Sequence, residues 1–230
     1  MSGVVDVLGQ AIVSGNHPVR SALTEGALSV QYSVSRTVIR EAAKMLAAKG
    51  LVSARPRLGT VVEPERSWNL FDTDVVGWML GCHRPLDLLR QFSQLRVAIE
   101  PEAAALAARN AGAVERVRIH DALARMRAAD PLGGEPVEAD IVFHLAILDA
   151  SGNPFFSQFR DVVETALRIS IRLTNRVTRK PFALSLAEHA LVWDAIAAGD
   201  PQAAHGAMRS LIEDAMAEID GVGVDGHAAA

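Results

Sequence analysis

Two groups of side chains in this 230-residue sequence have types and spacings that could do chemistry. The first is cationic. Arg36 and Arg40 are one helical turn apart, Thr37 and Lys44 share their side, and Arg55 and Arg57 follow in a turn built on Pro56 and Gly59. Guanidinium groups presented by a helix can bond the O6 and N7 edge of guanine in a DNA major groove, and any of these cations can neutralise phosphate. The second group is acid and imidazole. Asp140 and His144 are four apart, so they project from one helix face at a workable spacing for two ligands of one metal ion; exposed pairs of this kind are also common and only mildly stabilising. His189 sits in AEHALVWDAI, where Leu186 and Trp193 mark an inward-looking face. Arg96 interrupts the apolar stripe Leu89, Phe92, Leu95, Ile99, and Arg168 and Arg172 interrupt another. Such guanidiniums could hold a carboxylate ligand through charge-assisted hydrogen bonds, and Arg96 could equally serve a buried carboxylate of the chain itself.

The elements that must position the cations are short and well punctuated. Val4, Leu8, Ala11 and Ile12 recur at helical spacing with Gly15 as a stop, and Thr24 can cap a second helix ending near Tyr32. Ser35 caps a third helix that runs to about Lys49, with Val38, Ile39, Ala42, Ala43 and Leu46 on one face and Gly50 as its stop. Residues 51–53 and 60–62 read as strands around the Arg55–Gly59 turn. Three helices and a basic hairpin form a winged helix-turn-helix pattern over 1–63, whose third helix would enter the major groove. Residues 64–73 then read as a linker carrying Pro64.

Beyond the linker only helical periodicity is found, at about 74–80, 87–110, 114–129, 138–151, 155–176, 185–198 and 201–219. This predicts an all-α bundle of six or seven helices over 74–220, followed by a Gly- and Ala-rich flexible tail at 221–230. The fold class is therefore mainly α.

Charge divides the same way. Residues 1–66 carry eight Lys and Arg against five acids, a net of +3, so the overall −4 leaves −7 on the remainder. A basic patch on an otherwise acidic chain points to a polyanion-binding module joined to something else. One cysteine, Cys82, excludes an intrachain disulfide framework, and no signal-peptide pattern opens the chain, so a reducing, cytoplasmic setting is expected. Apolar runs end well short of the ~20 residues of a membrane span.

The stretch VSRTVIREA (Val34–Ala42), with Leu46, Gly50, Leu51, Arg57, Gly59 and Val62, resembles the winged helix of the GntR superfamily of bacterial regulators. The resemblance implies that Ser35, Arg36, Thr37, Arg40 and Lys44 face operator DNA and that the tip carrying Arg55, Arg57, Gly59 and Thr60 lies along the minor groove. After Glu25 that family commonly has another basic residue; here it is Gly26. LRVAIEPEAAALAA (Leu95–Ala108), EADIVFHLAILDASGNPFF (Glu138–Phe156), AEHALVWDAIAAGDPQAA (Ala187–Ala204) and MRSLIE (Met208–Glu213) resemble the FCD effector domain of the FadR-type branch. There a bundle cavity holds a divalent metal, zinc or else nickel or manganese, on one Asp and three His beside a small organic acid. The matching positions are Asp140, His144 and His189, with Arg96, Arg168 and Arg172 as candidate effector contacts; the third His falls on Leu211. His205 cannot replace it, being about 240° around the helix from that position. That leaves either a metal on three residues or a metal-free site where Arg96 and the two His hold a carboxylate directly. WNLFDTDVVGWML (Trp68–Leu80) is similar to the linker of the sugar-acid, galactonate-type repressors, which implies an aldonate effector and a homodimer on a palindromic operator.

Two other classes compete. A metal-dependent hydrolase or lyase acting on a sugar acid could use Asp140, His144 and His189, but no HExxH, phosphate loop, nucleophile elbow or general base accompanies them, so no enzymatic activity is expected. A constitutive architectural DNA binder would have a bundle filled with apolar side chains alone.

Overall fold

The computed structural model describes residues 2–82, 85–128, 135–174 and 182–225, with side chains described within 3–82, 86–128, 137–168 and 185–220. The chain divides into two compact units, Met1–Pro85 and Leu86–Ala230.

In the first unit, α1 (Ser2–Val13) is followed by β1 (Ala22–Leu23), α2 (Glu25–Gln31), α3 (Arg36–Ala48), β2 (Val52–Arg55), β3 (Gly59–Val62) and α4 (Thr73–Leu80). The predicted caps form: the Thr24 side chain accepts from Ala27 N at 3.4 Å and Ser35 from Val38 N at 3.3 Å. Ile39, Ala42 and Leu46 of α3 are buried at helical spacing against Leu8, Ile12, Leu28 and Leu51. Gly50 ends α3 at φ +80, a conformation that suits glycine, and Ser67 O lies only 2.1 Å from where a Cβ would stand. The hairpin β2–β3 pairs Val52 with Val62 and Arg55 with Gly59, and β1 adds a third antiparallel strand through Ala22 and Val61. That edge strand has two residues, too few for an alternation signal in the sequence.

The predicted linker is not a free tether. Asp72 caps α4, and Lys49, at the end of α3, donates to both Asp72 oxygens at 2.8 Å and lies 2.8 Å from Asp74. Val75 and Trp78 are buried in the core of this unit, with the Trp78 ring so close over Gly9 that any Cβ there would clash. The helix that the sequence reading gave to the bundle, beginning at residue 74, therefore packs on α1.

The second unit comprises α5 (Pro85–Asn110), α6 (Ala113–Ala128), α7 (Glu135–Ala150), α8 (Pro154–Gln158), α9 (Arg160–Thr174), α10 (Phe182–Ala198) and α11 (Pro201–Asp225). The run predicted as one helix over 155–176 is broken at Phe159, which caps α8. Helix α11 continues to Asp225, into the segment expected to be a flexible tail; residues 226–230 lie outside the described residues. Small side chains, Ala103, Ala104, Ala107 and Ala108, let α5 approach a core of Ile119, Leu123, Met126, Phe143, Leu148 and Ile196. No described helix is long and apolar enough to cross a membrane.

Candidate functional site

Helix α3 holds Ile39, Ala42 and Leu46 inward, which leaves Ser35, Arg36, Thr37, Arg40 and Lys44 exposed. Arg40 is held by Glu25 of α2: its Nε and Nη2 donate to Oε1 and Oε2, each at 2.9 Å. The bond from Arg40 lowers the Glu25 pKa from its ordinary value. One edge of the guanidinium is thus engaged while the end formed by Nη1 and Nη2 still has donors to offer. Arg36 has no ion pair among the described residues, and its Nη2 lies 3.6 Å from where a Cβ on residue 26 would stand. A Cβ there would meet Arg36 at ordinary van der Waals distance, so nothing in the packing around Arg36 requires a glycine at 26. Lys44 donates to Glu41 at 2.8 Å.

In the hairpin, Arg55 lies 3.0 Å from Glu63, which also accepts from Ser53. Arg57 is exposed at φ +67, and Leu58 N donates to Arg55 O at 3.2 Å to close the turn before Gly59 at φ +77. A left-handed arginine costs on the order of 1–3 kcal/mol, a strain that recurs at functional tips. Thr60 is half-buried and paired within the sheet.

In the second constellation, between helices of the bundle, His144 and His189 are buried and Asp140 is half-buried. Asp140 Oδ1 lies 3.3 Å from His144 Nε2 and 3.4 Å from His189 Nε2, and one ligand atom from each residue lies within 4.8 Å of the others. Asp140 Oδ1 and His189 Nε2 are buried with no hydrogen-bond partner. Their remaining contacts fix the imidazoles from behind. His189 Nδ1 is 2.7 Å from Ser185 O, and His144 Nδ1 is 2.6 Å from Glu100 Oε2, so both rings donate outward through Nδ1 and turn Nε2 toward Asp140. Two imidazole Nε2 atoms and a carboxylate oxygen gathered at one point could, with the imidazoles unprotonated, hold a cation. Bonds of about 2.0–2.1 Å to a tetrahedral ion imply ligand edges of about 3.3–3.4 Å, which the two Asp140 contacts match. The buried Phe143 ring stands edge-on to both imidazoles, at 5.9 Å from His144 and 5.1 Å from His189.

Glu100 is the residue that sequence reasoning missed. It is almost fully buried, and Arg96 donates to it through Nε at 2.5 Å and Nη2 at 3.3 Å. Burial pushes its carboxyl up, but Arg96 and His144 outweigh this and bring it down to about 2. At Asp140 burial acts the same way, and His189 and His144 prevail, lowering its pKa. For His144 burial opposes the charged form, yet Glu100 and Asp140 raise the pKa. Arg96 therefore stands beside His144, its Nη2 3.3 Å from Nδ1, with its charge already matched by Glu100. This is the structural role the sequence left open, and the signal for it was Glu100 one turn beyond Arg96.

Arg168 is engaged elsewhere, by Glu138 and by Glu164 at 3.0 Å, so the structure does not bring it to the Asp140 cluster through any ion pair. The Arg172 side chain lies outside the described residues. Leu211, at the position of the missing imidazole, is buried in the bundle core beside Met208 and Ile212.

Comparison with known proteins agrees with this division. The family described as bacterial regulatory proteins, gntR family, matches residues 1–62, and the FCD domain family matches residues 91–214. The chain is 32% identical over 210 residues to the galactonate operon transcriptional repressor of Escherichia coli (strain K12), covering 91% of this chain and 92% of that protein. It is 31% identical over 188 residues to the HTH-type transcriptional regulator LutR of Bacillus subtilis (strain 168), covering 79% and 83%. Among solved structures, Lar of Listeria monocytogenes superposes with a TM-score of 0.60 at 16% identity over 95% of each chain, which shows a shared fold. The protein is a transcription regulator rather than an enzyme, and it belongs to the GntR family, in the FadR-type branch with a C-terminal FCD domain.

Proposed function

We propose that this regulator is a repressor that binds a palindromic operator as a homodimer and is controlled by a small carboxylate, an aldonate being the first candidate. Arg36, Thr37, Arg40 and Lys44 reach bases and phosphates of the major groove, and the tip carrying Arg55 and Arg57 lies along the minor groove. Asp140, His144 and His189 hold a divalent cation, with zinc ahead of nickel or manganese on an N₂O donor set. That ion, when bound, supplies Lewis-acid attraction for effector oxygens. With Leu211 in place of a third imidazole, more of its coordination positions are open than a four-residue site would leave. Glu100 orients His144, and Arg96 holds Glu100 in place.

The observation that carries this reading is the pair of buried, partnerless atoms, Asp140 Oδ1 and His189 Nε2, facing one another at 3.4 Å. One relative, the galactonate operon transcriptional repressor, supports the repressor role and the sugar-acid class. Effector binding shifts the dimer between arrangements that match and mismatch the half-site spacing, by no more than its differential affinity for the two.

The test is elemental analysis of the purified protein together with a thermal-shift screen of sugar acids on wild type and His144→Ala. Stoichiometric divalent metal in wild type, and a melting rise with an aldonate that His144→Ala loses, is the expected result. A metal-free wild type that cannot be reloaded, or a rise that survives His144→Ala, overturns the metal-assisted site.

A further inference from the structure

The two arginines of the hairpin are not alike. Arg55 is drawn away from the tip: its Nη2 lies 3.0 Å from Glu63 Oε1, and Glu63 stands four residues beyond Gly59, the strand partner of Arg55, or about 13 Å toward the base of the hairpin. The carboxylate that holds it is itself held. Ser53 donates to it, the Glu63 backbone N donates to Leu51 O at 2.8 Å, and the Glu63 backbone O accepts from Trp68 Nε1 at 3.1 Å. The Arg57 side chain, by contrast, has neither an ion pair nor a hydrogen bond among the described residues. It stands at φ +67, and Gly59 follows at φ +77 with nothing within 4 Å of where a Cβ would stand. Residues 54–59 are all exposed, Leu58 by 61%. Glycine at 57 would close the same turn at less cost, so what the arginine adds is a guanidinium at a narrow, open tip.

We propose that Arg57 alone enters the minor groove and selects A·T pairs there, while Glu63 keeps Arg55 out of it. The inference rests on the operator reading above and adds a second stretch of sequence that the protein reads, at base pairs α3 does not touch. A guanidinium donates hydrogen bonds and accepts none. The minor-groove floor offers it acceptors at A·T pairs, adenine N3 and thymine O2, whereas a G·C pair places the guanine N2 amino group, another donor, in its way. Runs of A·T also narrow the groove and deepen its negative potential, which draws arginine in. Beside Arg57, the exposed Leu58 supplies an apolar surface for the sugar walls of the groove.

The experiment begins by enriching duplexes from a random-sequence library on the full chain. Binding to an enriched duplex is then measured by fluorescence anisotropy for wild type, Arg57→Gly and Arg55→Ala. Glycine suits the backbone at 57, so the first variant removes the guanidinium and keeps the turn. A·T pairs beside the major-groove half-sites are replaced by G·C in one duplex and by inosine·C in another; inosine·C matches G·C in the major groove but lacks the amino group in the minor groove. For wild type, G·C should weaken binding by at least about tenfold and inosine·C should restore it. Arg57→Gly should bind all three duplexes alike, and Arg55→Ala should keep the wild-type ratios. Enriched duplexes with no A·T run beside the half-sites, or a wild type indifferent to the G·C replacement, overturn the inference while operator binding stands. Inosine·C as weak as G·C would move the preference to the major groove, and a preference lost in Arg55→Ala but kept in Arg57→Gly would reverse the two roles; either result overturns it. Failure to enrich any duplex overturns the operator reading and this inference with it.

Discussion

The two units place their charged chemistry on opposite sides of their own cores. In the winged unit the candidate DNA contacts other than half-buried Thr60 are exposed and the core is apolar; every side chain among the described residues that is polar or charged and buried, Ser93, Arg96, Glu100, His144, Ser151 and His189, belongs to the helical unit. The difference separates recognition from folding in one unit and fuses them in the other. A surface cation can be removed without leaving anything stranded. A buried one cannot, because its partner then keeps a charge without solvent or counterion.

The largest effect should come from breaking that buried pair. Arg96→Met leaves Glu100 with His144 as its remaining partner and should cost about 3–5 kcal/mol of stability, with the double substitution Arg96→Met/Glu100→Leu recovering much of it. Urea denaturation of the full chain measures both. If Arg96→Met stayed within about 1 kcal/mol of wild type, the contrast between the units would be void.

Next in size is the cation. Protein stripped by chelation and then given zinc at a hundredfold excess over its dissociation constant should gain about 2.7 kcal/mol, and His189→Ala should gain nothing. Because a ligating imidazole must be unprotonated, that gain should shrink as the pH is lowered. A gain of equal size in His189→Ala would locate the ion away from Asp140.

How far the two units could be read in the sequence follows from the same contrast. The recognition helix was legible because its chemistry is amphipathic: Ser35 as cap, Gly50 as stop, Ile39, Ala42 and Leu46 at one spacing and Arg36 and Arg40 at another are all local signals. Asp140, His144 and His189 were found by type and spacing with the family resemblance, and the structure brings them together. What stayed hidden depends on tertiary choice. Helix α4 has an apolar face that either unit could have covered, and only the fit of Trp78 over Gly9 and the Lys49 bridge to Asp72 and Asp74 decide it. Arg96 was visible as an exception to its stripe, but that it pairs with Glu100 beside His144 depends on a second helix, which no local signal reports. The two-residue β1 and the break at Phe159 leave almost no periodic trace.

On the exposed side, Arg36→Ala and Arg40→Ala should each weaken operator binding by about 1–3 kcal/mol. Each should change folding stability by no more than about 0.5 kcal/mol. Fluorescence anisotropy with operator duplex, paired with thermal melts, reads the two separately. A comparable fall in stability would mean that these side chains are structural and that the units do not differ as described.

The smallest effect should come from Glu25→Gln, and its sign is informative. Glu25 takes one edge of Arg40 in a two-point bond, which restricts the direction in which the remaining donors point. The carboxylate also repels phosphate, so removing its charge relieves one cost while loosening Arg40. Net operator affinity should therefore move by less than about 1 kcal/mol, in either direction, because each opposing contribution is that of an exposed pair. Discrimination should not be spared in the same way. A freely rotating Arg40 can still neutralise phosphate on any sequence but is less often aligned with a base edge, so binding to non-operator DNA should rise relative to operator. Titrating both duplexes at several salt concentrations separates these contributions, since the phosphate part alone carries the salt dependence. An unchanged operator-to-random ratio would reduce the Glu25–Arg40 bond to an ordinary surface pair and leave Arg36, which has no ion pair among the described residues, as the α3 residue that selects sequence.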